Sequence, residues 1–460
     1  MFKLRIRVSA FTIVELLVVI VIIGILASIT VVSYTGITNR AKVAILQSDL
    51  NKSSKQIELF KAQNGIYPSN INDCPNPSSV SLCLSSSNGA TYTSYVSTAN
   101  TFTLIETASD GATRWRIANN SRHVVVVPKT GLLTALVTPT ISTASSPRSI
   151  AISSDGSSIY VANMATITMY SRDSLSGDLA ALSPSSTYPG PGSPNNLTVS
   201  PDGVSVYATD SLNEVAYLFS RDASTGILTY VVGGASVTGA RAIVISPDNK
   251  YAYVANNSTN KIHMFSRDIS TGALTPLSTP TINTSTNPYS VAISSDGKSV
   301  YVANNTSNNV SMYSRDTSTG LLTALSTPII ASGTGPYSVA ISSDGKSVYV
   351  ANNTSNNVSM YSRDTSTGLL TALSTPTINA GTGAQAIAIS SDGDSVYVAN
   401  NTSNNVSMYS RDSSTGLLSA LSTPTIAAQT APTAIGVSSD GDSVYVVNGT
   451  SRTISMFSRN

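Results

Sequence analysis

Histidine and cysteine are nearly absent, with two of each in 460 residues. That scarcity argues against a His-rich catalytic centre or a cluster of metal-binding thiolates. Charge is thin as well, at 11% Asp, Glu, Lys and Arg, against roughly 25% in ordinary soluble domains. The 26 Lys and Arg are matched by 24 Asp and Glu and lie scattered, which excludes a broad polybasic surface for nucleic acid. Long apolar runs are scarce too, since a single stretch is long enough to span a bilayer. What the chain has in plenty is Ser, Thr, Asn and Gly, a composition suited to short strands and tight turns. At about 100–200 residues per domain the length accommodates two or three domains with real cores. An extracytoplasmic, mostly β protein is the expectation.

Residues 1–10 form a short basic leader with Lys3, Arg5 and Arg7 and no acid. The apolar run Phe11–Val32 follows, and at 1.5 Å per residue it makes a helix of roughly 33 Å, enough to cross a hydrocarbon core. Positive charge ahead of it favours a cytoplasmic N-terminus. A secretory signal peptide would have a shorter apolar region and a small-residue cleavage site behind it. A plain anchor gives no reason for Glu15, since a charge inside the bilayer costs at least ~2.5 kcal/mol and needs a partner.

The segment Ala10-Phe11-Thr12-Ile13-Val14-Glu15-Leu16-Leu17 resembles the processing site of type IV prepilins and type II secretion pseudopilins. The resemblance implies cleavage between Ala10 and Phe11 by a prepilin peptidase, N-methylation of Phe11, and retention of the apolar helix. It gives Glu15 the assembly role, in which the carboxylate neutralises the N-terminal amine of a neighbouring subunit as the helix leaves the inner membrane. A buried carboxylate is tolerable only when paired, which agrees. Ala10 stands where Gly is commoner, and Val32 where many major pilins carry a helix-kinking Pro.

Past Val32 the pattern turns amphipathic. Ile37, Ala41, Leu46, Leu50, Ile57 and Phe60 recur at helical spacing. The helix is therefore expected over 11–63, with 11–32 as its membrane-spanning and assembly part; Asn64-Gly65 and Pro68 stop it. Residues 64–122 are expected to hold a loop and a small antiparallel sheet, with strands at 91–96, 101–107 and 113–118. Cys74 and Cys83 flank a Pro- and Ser-rich loop. In an exported protein such a pair reads as a disulfide worth roughly 2–3 kcal/mol, the alternative being two free thiols. Trp115 reads as core packing of that sheet.

After a linker at 123–129, residues 130–460 are periodic. A Ser-Asp-Gly type turn places Asp at 155, 202, 248, 296, 344, 392 and 440, each followed by an Arg, at 172, 221, 267, 315, 363, 411 and 459. A period in the forties with four short β patterns per unit is the signature of a propeller blade. A fourth-strand pattern at 131–137 precedes the first Asp turn, and nothing but Asn460 follows the last Arg. Residues 131–137 are therefore expected to complete the seventh blade and close the ring. The chain would enter and leave on the Asp/Arg face, leaving the opposite face to point outward. The units resemble YVTN-repeat, lactonase-like seven-bladed propellers, most closely at Tyr301-Val302-Ala303-Asn304 and Tyr349-Val350-Ala351-Asn352. The fold class is thus an α+β pilin-like module, a long N-terminal helix plus a small antiparallel sheet, followed by an all-β seven-bladed propeller.

Fold does not fix function. The residues that break the repeat symmetry are Asp210, Glu214, Lys261 and His263, and His263 reads as a strand histidine satisfied by its neighbours. No catalytic residue of a lactonase maps onto the chain, no metal ligands or cofactor are implied, and an enzyme is the less favoured reading. The repeated Asp and Arg lie on one face and read as turn chemistry and as rings of surface ion pairs worth ~0–1 kcal/mol each. The loops holding Asn304, Asn305, Asn308, Asn309, Asn352, Asn353, Asn400 and Asn401 are the candidate binding surface for a glycan or a protein, against inert solvated loops. The expected function is a minor pilin-like or pseudopilin subunit. It would start as a single-pass cytoplasmic-membrane precursor, join other pilin subunits, and display the propeller at the cell surface for adhesion or ligand binding. A membrane-tethered lactonase-like hydrolase and a non-binding surface spacer are the alternatives.

Overall fold

In a computed structural model, the described residues are helical positions between Lys52 and Ala62, three strands between 91 and 118, and 130–460 except 175 and 189–191. The leader, the apolar run with Ala10, Phe11 and Glu15, both cysteines and the linker lie outside the described residues, as does any disulfide between Cys74 and Cys83. Among the described residues no helix is long and apolar enough to cross a membrane. The chain divides into two compact units, Met1–Lys129 and Thr130–Asn460.

In the first unit, β1 (Thr91–Ser97), β2 (Phe102–Thr107) and β3 (Arg114–Ala118) form an antiparallel meander in that order. Ser53 and Ile57, one helical turn apart, are both buried. The helix expected over 11–63 lies outside the described residues except at positions between Lys52 and Ala62.

The second unit is a ring of seven four-stranded antiparallel sheets. Blade 4 is representative, with strands Pro288–Ile293, Ser299–Asn304, Asn309–Arg315 and Leu322–Ala331. The first strands of all neighbouring blades touch in sequence, and that of blade 7 touches that of blade 1, so they encircle a central axis. Blade 7 takes its first three strands from residues 432–459 and its fourth from β4 (Leu133–Ser142). Arg459 pairs with Leu133 and Thr453 with Ser142. The expected closure by the N-terminal strand is present.

The second strand of every blade is buried along its whole length. The reason is the period of two: in blade 4, Tyr301 and Ala303 pack toward blade 5, while Val300 and Val302 pack toward blade 3. Both faces of the strand are interior, so the pattern is a continuous apolar run and not an alternation. The fourth strand is the outer edge, and most of it is exposed. Pro328, Pro376 and Pro424 interrupt it in blades 4 to 6, where a missing N–H blunts an edge that could pair with another chain.

Candidate functional site

The propeller has two faces, and the structure assigns them different work. On the first lie the turns between first and second strands and between third and fourth strands. Here each Arg at the end of a third strand reaches the Asp turn of the preceding blade. Arg363 Nη2 lies 2.9 Å from Asp296 Oδ2, and Arg172 of blade 1 closes the circle onto Asp440 of blade 7 at 2.8 Å. Seven such pairs connect all seven blades, with arginine side chains only 0–2% exposed.

Each guanidinium is saturated within a repeated pocket. Arg363 Nε donates to Tyr301 Oη at 3.1 Å, Nη1 donates to the Gly345 carbonyl at 3.0 Å, and Nη2 also donates to Ser299 Oγ at 2.9 Å. Tyr301 Oη in turn donates to the Gly368 carbonyl of the next blade at 2.6 Å. At the closure Tyr397 Oη donates to the Gly131 carbonyl at 2.8 Å, so β4 is held as any other fourth strand is. Burial works against ionisation of Asp155, but hydrogen bonds from Ser153 and Ser157 and from Arg221 outweigh it and hold the carboxyl at about 2. The expected surface ion pairs are therefore corrected: they are inter-blade clamps built around buried guanidiniums. Sequence spacing alone could not reveal this, because the partners lie about 67 residues apart in neighbouring blades.

The opposite face carries the asparagine loops, and most of their amides are already committed. Asn304, Asn352 and Asn400 are fully buried, which corrects their reading as ligand-facing groups. Their Nδ2 groups donate to Ser311, Ser359 and Ser407 Oγ at 2.9 Å. Asn309 Oδ1 accepts from Asn304 Nδ2 at 2.9 Å. Asn308, at φ 53, accepts from the Gly335 N–H of the next blade, and Asn305 and Asn401 Nδ2 donate to the Pro336 and Pro432 carbonyls. The Asn353 backbone N–H donates to Gly335 O. The loops thus brace neighbouring blades, since an αL asparagine can offer its side-chain oxygen across the gap.

Asp210 accepts from Tyr188 Oη at 2.6 Å and from three backbone N–H groups, a closed structural network. His263 is within 3.1 Å of Asn256 Nδ2 and stacks on Phe265, as expected of a satisfied strand histidine. Burial, assisted by Lys261, lowers its pKa.

The cluster that stands out lies at the loop-face end of the first strands. The corresponding position in the seven blades holds Arg148, Asn195, Arg241, Tyr289, Tyr337, Gln385 and Thr433. Arg148 Nη1 donates to Asn195 Oδ1 at 2.9 Å and to Ser193 Oγ at 2.7 Å. Arg241 Nη1 approaches the same Asn195 Oδ1 at 3.5 Å. The Arg241 guanidinium lies 4.0 Å over the Tyr289 ring, and its Nη2 donates to Tyr337 Oη at 3.3 Å, two blades away. The two tyrosine rings are 4.3 Å apart. Neither arginine has a carboxylate partner among the described residues. Like charges that share one acceptor repel, at effective dielectrics between water and a protein surface, by on the order of 1 kcal/mol. Two guanidiniums held on one amide oxygen without an acid form a site for a negatively charged group.

These residues lie outside the repeat motifs, in a column where the blades differ. The signal was present as a column in which the repeat varies while its neighbours repeat.

The comparisons with known proteins agree with this architecture. Residues 5–31 match the prokaryotic N-terminal methylation motif. Over 61 residues the chain is 36% identical to the type II secretion system core protein G of Pseudomonas aeruginosa, a match that spans 13% of this chain and 43% of that protein. The propeller superposes on a putative 6-phosphogluconolactonase of Bacteroides fragilis (TM-score 0.55, 20% identity, 70% of this chain and 92% of that one). It also superposes on the periplasmic gluconolactonase of Pseudomonas aeruginosa (TM-score 0.55, 18% identity, 72% and 93%). Kuenenia stuttgartiensis hydrazine synthase gives the same TM-score of 0.55 at 20% identity, covering 70% and 97%. At such identities the likeness concerns the fold alone. Residues 120–240, 238–382 and 372–460 match the family described as lactonase, 7-bladed beta-propeller, and with most of its length so matched the chain belongs to that family and carries a prepilin-type methylation motif ahead of it.

Proposed function

We propose that this chain is a minor pilin-like or pseudopilin subunit that displays its propeller at the cell surface as a ligand-binding or adhesive head. The observation that carries the reading is the methylation motif at residues 5–31, on the same chain as a closed propeller. Prepilin peptidase would cut between Ala10 and Phe11, Phe11 would be N-methylated, and Glu15 would pair with the Phe11 amine of a neighbouring subunit. The precursor would sit in the cytoplasmic membrane until other pilin subunits take it up. A propeller on every subunit would crowd a filament shaft, so a sparse or terminal position fits the bulk of the head. The two arginines at the loop-face end of the first strands, without an ion pair among the described residues, would supply a binding site.

The second reading, a membrane-tethered lactonase-like hydrolase, is favoured by family membership. Against it, the seven positions at the loop-face end of the first strands include no carboxylate and no imidazole to serve as general base. Labelling intact cells with an antibody to the propeller tests display. Signal on filaments or the envelope is expected, and Glu15→Ala should remove it from filaments. Normal filament entry of that variant would refute the pairing, and turnover of a lactone panel by the purified chain would favour the hydrolase.

A further inference from the structure

We propose that the sector of the loop face spanning blades 1 to 3 docks an extended protein segment in which a carboxylate is flanked by apolar side chains. The inference rests on the binding-head reading and names its ligand class. Its first support is charge: Arg148 and Arg241 converge on Asn195 Oδ1 without an acid among the described residues, so a carboxylate is the missing partner. Its second support is apolar and independent. Met164, 52% exposed, and Leu212, 69% exposed, both occupy the loops between second and third strands, in blades 1 and 2. Blades 4 to 6 put Asn, Thr and Ser in those loops.

Hydrogen bonds place these loops next to the segments that carry the arginine cluster. The Met164 N–H donates to the Ser145 carbonyl at 3.0 Å, which sets it beside the segment leading to Arg148. Asn195 Nδ2 donates to Ser211 Oγ at 2.7 Å, which sets Leu212 beside the asparagine that both arginines share. Large exposed apolar side chains in the loops of the blades that carry Arg148 and Asn195 match the anchors of protein recognition, where a few apolar contacts and a charge-assisted pair carry the affinity. A sugar or a free anion would use the arginines and leave Met164 and Leu212 idle.

The test is fluorescence anisotropy on the full chain in neutral detergent. The probes are a labelled peptide alternating leucine and glutamate, a hydrophilic glutamate–serine peptide, an oligogalacturonate and inorganic phosphate. The leucine–glutamate peptide is expected to bind at least tenfold more tightly than the other three. Arg241→Gln should weaken it at least tenfold, and the double variant Met164→Ser with Leu212→Ser should do the same while phosphate binding stays unchanged. Equal binding of both peptides, or no effect of the Met164/Leu212 variant, would reduce the site to a general anion site and overturn the proposal. Preference for the oligogalacturonate would overturn it in favour of an acidic glycan. Either failure leaves the display experiment untouched, so the two readings fall separately.

Discussion

Arg363 shows how one side chain joins two blades. Its guanidinium is enclosed and engages Asp296, Ser299 and Tyr301 of blade 4 while bonding Gly345 of its own blade. Replacing it leaves the buried Gly345 carbonyl and Tyr301 hydroxyl without their donor, whereas Asp296, 32% exposed, can turn to water, so the loss is that of buried hydrogen bonds, about 1–3 kcal/mol each. Arg363→Ala is therefore expected to lower the denaturant midpoint sharply in equilibrium unfolding. Tyr301→Phe removes a hydroxyl that accepts from Arg363 and donates to Gly368, and should cost about 1–3 kcal/mol by the same measurement. The clamp aspartates also set an acid limit. Hydrogen bonds and arginine partners outweigh burial and lower the pKa of Asp155, Asp202, Asp248, Asp296, Asp344, Asp392 and Asp440. A depressed carboxyl contributes its full stability above the unfolded value of about 3.9 and loses it as pH falls through the folded value. For Asp155 that window runs from about 4 down to about 2. Acid titration followed by circular dichroism should show the midpoint of chemical unfolding falling across this window, and Asp155→Asn should shrink the fall.

At the level of elements, β4 is the strand on which the ring depends. It pairs with the third strand of blade 7 from Arg459 to Thr453, and Gly131 and Thr130 bond the chain end at Asn460. Without it the third strand of blade 7 becomes an open edge and Tyr397 loses its acceptor. Deleting residues 130–142 should replace a single cooperative unfolding transition with a broadened one and promote self-association, read by circular dichroism and light scattering. The strand was legible in the sequence as an unmatched fourth-strand pattern ahead of the first Asp turn. The asparagine loops were not legible in the same way. Asn304 and Asn308 look alike as letters, yet one ends a strand buried between blades and the other sits at φ 53 bracing the Gly335 amide. Local composition reports polarity, whereas commitment of an amide depends on what the next blade brings near it.

On the scale of the whole molecule, two unlike modules share one chain, each with a matching relative. A prepilin-type methylation motif and a closed propeller ring are features that can be altered separately. Glu15→Ala is thus expected to abolish filament incorporation while the propeller keeps its unfolding midpoint, measured on the chain extracted from membranes. Arg241→Gln should have the reverse pattern, leaving incorporation intact and removing ligand binding.

The sequence by itself determined the order of modules, the number of blades and the strand that closes them. Those properties follow from periodicity, which repeats along the chain and needs no partner to be read. The tertiary structure decided which polar groups were free. It buried seven arginines against the blade before each of them, spent the asparagine side chains within their own blade or on the next, and brought Arg148 and Arg241 onto one oxygen. Closing a ring brings residues dozens of positions apart within hydrogen-bond reach, and whether a polar side chain is consumed or available is fixed only at that distance.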